Sequence, residues 1–146
     1  MGVLYSAFPV TGEVREWLAE EGHPVPAADG TQPTPNQLQT ALQTLADQHV
    51  SFNISEGVWQ AQIDDLKSPE AGPWTMVNVL KYTSSDEPCE FYFEKGWPEL
   101  IIKVAHRIAQ QCGPIAIVPD TGCSAAVVTA DSDIDHIIRT WEHLTG

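Results

Sequence analysis

The stretch Val50-Ser51-Phe52-Asn53-Ile54-Ser55-Glu56-Gly57-Val58-Trp59-Gln60-Ala61-Gln62-Ile63-Asp64 decides how the chain is read. Val50, Phe52 and Ile54 alternate with polar residues. After Glu56-Gly57 the alternation resumes, with Trp59, Ala61 and Ile63 set against Gln60, Gln62 and Asp64. Successive side chains of a strand point to opposite faces, so this period of two predicts half-buried strands. The Gly-containing break between the two runs predicts a hairpin. One face of that hairpin is apolar and the other carries amides and acids, so a second layer must cover one side only.

Working outward, a Pro/Gly loop over 69–73 leads to a predicted strand over 74–83. Ser84 to Pro88 turns the chain into another over 89–94, with Phe91 and Phe93 on one side and Glu90, Tyr92 and Glu94 on the other. After a turn at Gly96, Pro98 opens a helix whose buried stripe is Leu100, Ile101, Val104, Ala105, Ile108 and Cys112, and Gly113-Pro114 stops it. Two short apolar strands, 115–118 and 125–128, flank Pro119-Asp120-Thr121-Gly122. A helix from about Ser132 closes the chain, its stripe being Ile134, Ile137, Ile138, Trp141 and Leu144. In the other direction, Thr34-Pro35 reads as a cap and first turn for a helix lined by Leu38, Ala41, Leu42 and Leu45. Before it, 23–33 reads as a loop, with prolines at 24, 26 and 33 and Gly30. A helix over 12–21, capped by Thr11, sets Val14, Trp17 and Leu18 against Glu13, Glu16 and Glu20, and Val3 to Phe8 is a strand. The order predicts one α+β domain over residues 1–146. Its largely antiparallel sheet of five to seven strands packs in two layers against three to four helices.

Charge restricts the partners. Twenty Asp and Glu face seven Lys and Arg, a net charge of −13 on 146 residues. A phosphate-binding surface needs a basic footprint, so nucleic acid is excluded as a partner. Adsorption to anionic membrane relies on the same residues and is excluded likewise. A cationic protein surface is what this charge attracts. At 42% hydrophobic content the chain can build a core, and most of its five Trp are expected to anchor it. Cys89, Cys112 and Cys123 form no metal-like spacing and no even set for disulfides. Met1 to Ser6 lacks the pattern of a secretory signal, and its M-G-x-x-x-S match to a myristoylation pattern is read as part of a buried first strand. The expectation is a cytoplasmic protein with all three thiols free.

Motifs that could carry chemistry reduce to local structure. Asp120-Thr121-Gly122 is similar to the active-site triplet of aspartic proteases, which works only as a pair of aspartates sharing one proton. Here Pro119 interrupts the preceding strand and no second apolar-Gly-Arg segment follows, while turn chemistry accounts for all four residues. Asp131, Asp133, Asp135 and Glu142 match calcium-loop spacing, but His136 stands where that loop needs Gly, and the helical stripe runs straight through. His136 and His143 share a helix face without a third ligand, and His106, beside Lys103 and Arg107, reads as a surface residue. His49 falls at a helix-to-strand junction. There is no nucleophile elbow and no phosphate-cradling glycine loop. No catalytic residue, metal or cofactor is assigned.

One surface stands out. If the aromatic side of the sheet meets the helices, the opposite side presents Gln60, Asp64, Glu90, Tyr92 and Glu94, joined by Trp74 and Tyr82. Aromatics among acids and amides suit protein binding, where rings anchor and charge steers. The leading expectation is therefore a small, acidic, non-enzymatic binding domain, of immunity or regulatory type, that recognises a basic partner. Small immunity proteins that neutralise toxin enzymes have this general size and charge, with no motif in common. The competing expectation is a small bacterial enzyme, hydrolase-like, in which Asp64 or Glu90 meets a histidine only in the fold.

Overall fold

The hairpin forms as its alternation demands. β2 (Gln48–Ser55) and β3 (Val58–Asp65) run antiparallel, with Ser55 opposite Val58 and His49 opposite Asp64. They meet at Glu56-Gly57, where Gly57 adopts φ +74°, a left-handed conformation that costs glycine little. The structure is a computed structural model and describes residues 4–23, 25–45, 48–65, 74–94, 97–120 and 125–141. The other elements are β1 (Leu4–Pro9), α1 (Gly12–Glu20), α2 (Pro35–Gln43), β4 (Trp74–Leu80), β5 (Glu90–Glu94), α3 (Pro98–Cys112), β6 (Ile115–Pro119), β7 (Ala126–Val128) and α4 (Ile134–Thr140). Seven strands form one sheet in the order β2-β3-β4-β5-β1-β6-β7, every neighbouring pair antiparallel. β1 is thus inserted between β5 and β6, with Tyr5 opposite both Phe93 and Pro119.

The architecture is a two-layer α+β fold, with four helices among the described residues. The alternation decides what each sheet face buries. Tyr5, Ala7, Trp59, Ala61, Ile63, Val77, Val79, Phe91, Phe93, Ile115, Ile117, Ala126 and Val128 form one core with α2 and α3. α3 supplies Leu100, Ile101, Ile102, Val104, Ala105, Ile108, Ala109 and Cys112, all buried, so the stripe read in the sequence is its inner face. Each fully buried Leu or Ile contributes roughly 1.5–3 kcal/mol relative to exposure. α4 lays Ile134, Ile137, Ile138 and Trp141 on the same core. α1 lies on the opposite side, where Val10, Val14, Trp17 and Leu18 pack on Ala116, Val118, Ala125 and Val127 of the β6–β7 end. Among the described residues, no other helix packs on that face.

Caps and turns explain the element ends. Thr34 and Gln37 form a reciprocal capping box: Gln37 N–H donates to Thr34 Oγ1 at 3.1 Å, and Thr34 N–H donates to Gln37 Oε1 at 2.9 Å. Asp133 caps α4, accepting from the backbone N–H of His136 at 3.2 Å. The carboxylates around residue 133 therefore mark a helix start. Thr11 stands at the N-cap of α1, but its hydroxyl makes no capping hydrogen bond. The segment after α1 is stitched to the far end of the chain through backbone. Val10 N–H donates to Pro114 O, Gly30 N–H to Val10 O and Thr31 N–H to Cys112 O, at 3.0, 3.0 and 2.7 Å. Arg15 clamps the same segment to α1, pairing Nε with Asp29 at 2.6 Å and donating to the carbonyls of Pro26 and Ala28.

Several expectations need correcting. The third predicted strand ends at Leu80 because Lys81 takes φ +51°, which a side-chain-bearing residue seldom adopts. Only Trp59 and Trp141 of the five tryptophans are buried; Trp17 and Trp74 are half-buried and Trp97 is exposed. His49 lies within β2 and not at a helix end. His106 is half-buried, its Nε2 3.1 Å from the carbonyl oxygen of Ala130, and so ties α3 to the turn before α4. The 69–73 loop, Gly96, Thr121-Gly122, Cys123, Glu142, His143, Leu144 and the first three residues lie outside the described residues.

Candidate functional site: the open sheet face

Register across the strands assembles the open face row by row. One row runs Asn53, Gln60, Asn78, Tyr92, Ser6, Val118. The next runs Ser51, Gln62, Met76, Glu94, Leu4, and a third pairs His49, Asp64 and Trp74. At the other end Ser55 faces Val58, and Leu80 faces Glu90. The predicted binding residues Gln60, Asp64, Trp74, Glu90, Tyr92 and Glu94 therefore share this face. Tyr82 does not. The left-handed turn at Lys81 breaks the alternation, and Tyr82 packs instead against the core beneath the helices.

Hydrogen bonds give the face local order. Asn78, only 5% exposed, donates through Nδ2 to Glu94 Oε2 at 3.3 Å. Gln62 donates to both carboxylate oxygens of Asp64, also at 3.3 Å. No strand position on this face is Lys or Arg, so none of its carboxylates has a Lys or Arg as a strand neighbour on that face.

The sequence reading missed the apolar part of this surface. Leu4, Phe8, Val58 and Leu80 are 42, 44, 37 and 45% exposed, and all four belong to the open side. Four such side chains on one face exceed the scattered apolar residues normal for a surface. Three of them, Leu4, Phe8 and Leu80, line a groove of about 550 Å³ together with Ser6, Glu90, Tyr92 and Val14 at the start of α1. Hydropathy alone assigns these residues to a core. The available signal was parity, because Val58 and Leu80 fall in the same alternation class as Gln60, Gln62 and Trp74.

Among the described residues, neither cavity gathers both a histidine and a carboxylate. Glu90 lines the groove, which no histidine among the described residues lines. A second cavity of about 550 Å³, between α4, β7 and the segment after α1, is lined by His23 and, among the described residues, by no carboxylate. Asp64 does stand opposite His49 across the hairpin, and His49 Nε2 is 3.2 Å from Ser51 Oγ. That trio sits on the open sheet surface, with His49 and Ser51 exposed, and lines neither cavity. Among the described residues, no three of His, Cys, Asp and Glu gather closely enough to hold a metal ion, and no helix is long and apolar enough to cross a membrane.

Burial favours the protonated form of the two described thiols. Cys89 and Cys112 are free. Burial, with Cys112 nearby adding to it, pushes the Cys89 thiol up to about 11, and burial raises Cys112 as well. A thiolate is the nucleophile, so neither residue is activated. In the unfolded chain the Cys89 thiol ionises near 9.0, below its folded value. The stability it contributes is therefore fully present below pH about 9 and is lost as pH rises through about 11. For a half-exposed group the loss is about 1–2 kcal/mol, smaller than the full shift because water screens the site. Denaturant unfolding of wild type and Cys89→Ser across this range should show wild type losing more. Parallel pH dependence of the two would contradict the burial of this thiol.

No protein-family model, curated protein or solved structure matches this chain. The functional reading accordingly rests on the geometry of the open face.

Proposed function

We propose that this protein is a non-enzymatic binding domain whose open sheet face recognises a basic protein partner, in an immunity or regulatory role. The observation that carries this reading is the composition of that face: Leu4, Phe8, Val58 and Leu80 exposed beside Asp64, Glu90 and Glu94, with no strand cation among them. Apolar side chains supply contact area, and the surrounding acids set partner choice and approach rate. The groove adds a recognition element. Its apolar walls suit the stem of a Lys or Arg side chain while Glu90 receives the head, so one long cationic residue meets both requirements.

The exposed carboxylates Glu13, Glu16 and Glu20 of α1 extend the acidic field beyond the sheet. At physiological ionic strength such charges are screened over about 8 Å, so steering should weaken steeply with salt. Association with the partner recovered from the native host should slow about tenfold or more between low and high salt. Glu90→Gln/Glu94→Gln should slow it at low salt, and Leu80→Ser should hasten dissociation. A rate indifferent to salt and to all three substitutions would leave the charge as a solubility device and remove this reading.

A further inference from the structure

The sheet has two edges, and they differ. β7 is three residues long, whereas β2 is eight, and its outer side is unpaired among the described residues. Exposed edges are ordinarily blunted by charge, proline, a bulge or a cover, because unpaired backbone N–H and C=O groups invite another strand. β2 contains no Asp, Glu, Lys, Arg or Pro, and its pairing with β3 runs residue for residue from Gln48 to Ser55 without a bulge. In a chain of net charge −13, a neutral edge of this length is a distinct feature.

We propose that a second copy of this chain adds to the sheet along β2, antiparallel and centred on Phe52. The sequence of the strand selects this occupant. Read in either direction from Phe52 it gives a small polar residue (Ser51 or Asn53), a β-branched apolar one (Val50 or Ile54), then a polar one (His49 or Ser55). A two-fold axis at Phe52, perpendicular to the sheet, therefore sets Val50 opposite the partner's Ile54 and Ser51 opposite the partner's Asn53. Apolar side chains stay on the helix side and polar ones on the open side of both copies. Ile54, 41% exposed in one copy, gains an apolar neighbour. The charges agree, since the antiparallel arrangement puts Glu56 beside the partner's Gln48, while a parallel one would set Glu56 against Glu56 of the partner subunit. Strand addition alone buries less than the roughly 1,000 Å² of a tight interface, so the dimer is weak and concentration-dependent. It also brings together two bodies of like net charge, so salt strengthens it, opposite to its effect on a basic partner.

The test is sedimentation equilibrium of the whole chain over a range of protein and salt concentrations, on wild type and two double variants. Ser51 and Asn53 are both exposed, so substituting them leaves the core intact. S51K/N53K places like charges opposite each other twice per dimer and should weaken association about fivefold. S51K/N53E places opposite charges there and should associate at least as tightly as wild type. The proposal is overturned by a single monomeric species at every concentration and salt, which would leave β2 to a different protein's strand. It is equally overturned by a dimer that both double variants weaken alike, or that neither affects.

Discussion

Gly30→Ala is expected to cost about 3 kcal/mol or more and to lower the thermal midpoint by roughly 10 °C. A Cβ at this position would lie 2.2 Å from the carbonyl oxygen of Pro114 and 3.1 Å from the backbone nitrogen of Val10. Neither atom belongs to a side chain that could rotate away. Both also take part in the stitch that holds the 29–31 segment to the end of β1 and the end of α3. Room for the methyl can come only from breaking those hydrogen bonds or moving the strand. Gly113 faces the same seam from the other side, with φ +84° and a Cβ position 2.9 Å from Asp29 O, so the contact is backbone against backbone at both glycines. Gly12→Ala is the control. Its Cβ would meet nothing within 4 Å, in the first turn of α1, and the substitution should be neutral or slightly stabilising. Thermal denaturation of the two variants beside wild type checks this, and similar midpoints for all three proteins would refute the seam.

Trp59→Ala should be the other severe substitution, at about 3–5 kcal/mol. Trp59 is 2% exposed on the helix side of β3, its ring edge-on to Phe52 at 5.9 Å. Truncation leaves a cavity in the core and removes the ring against which Phe52 of β2 packs. Trp97→Ala removes the same atoms from a side chain 45% exposed, while its backbone hydrogen bond to Trp74 O remains, and should cost less than about 1 kcal/mol. Chemical denaturation of the pair separates the two cases, and comparable losses would mean that the core boundary is misplaced.

The contrast between these tryptophans shows which parts of the fold were legible in the sequence. Periodicity fixed the faces of β2, β3 and β5 and the stripe of α3, because strand and helix periods act on consecutive residues. Thr34-Pro35 marked a helix start for the same local reason. Residue type alone could not rank the tryptophans, because burial depends on which strand or helix passes over each one. Nor could it place β1, whose neighbours β5 and β6 are distant in sequence, or put α1 on the far side from α2 and α3. Tyr82 was misplaced by a single residue, since a left-handed Lys81 inside an apparently continuous run cannot be read from composition. Six of the seven candidate binding residues share the open face of the sheet. The apolar part of the same surface was missed, because an exposed Leu or Phe looks in sequence like a buried one.

The position of β1 within the sheet has a consequence for how the chain is assembled. β2 to β5 form an uninterrupted meander of neighbours in sequence, so each strand can pair as soon as it follows its predecessor. β1 is synthesised before all of them, yet its two partners are Glu90–Glu94 and Ile115–Pro119. On a ribosome, which emits the chain in order from its N-terminal side, Leu4 to Pro9 must wait unpaired until Glu90–Glu94 and Ile115–Pro119 have been made. Pairing between segments so far apart carries a large loop-closure cost and is slow compared with local hairpin formation. During that interval Leu4, Tyr5 and Phe8 are open to other chains, the situation in which nascent domains misassociate. Once seated, β1 joins the meander to the β6–β7 pair, so the earliest of these strands in chain order is the one that completes the sheet.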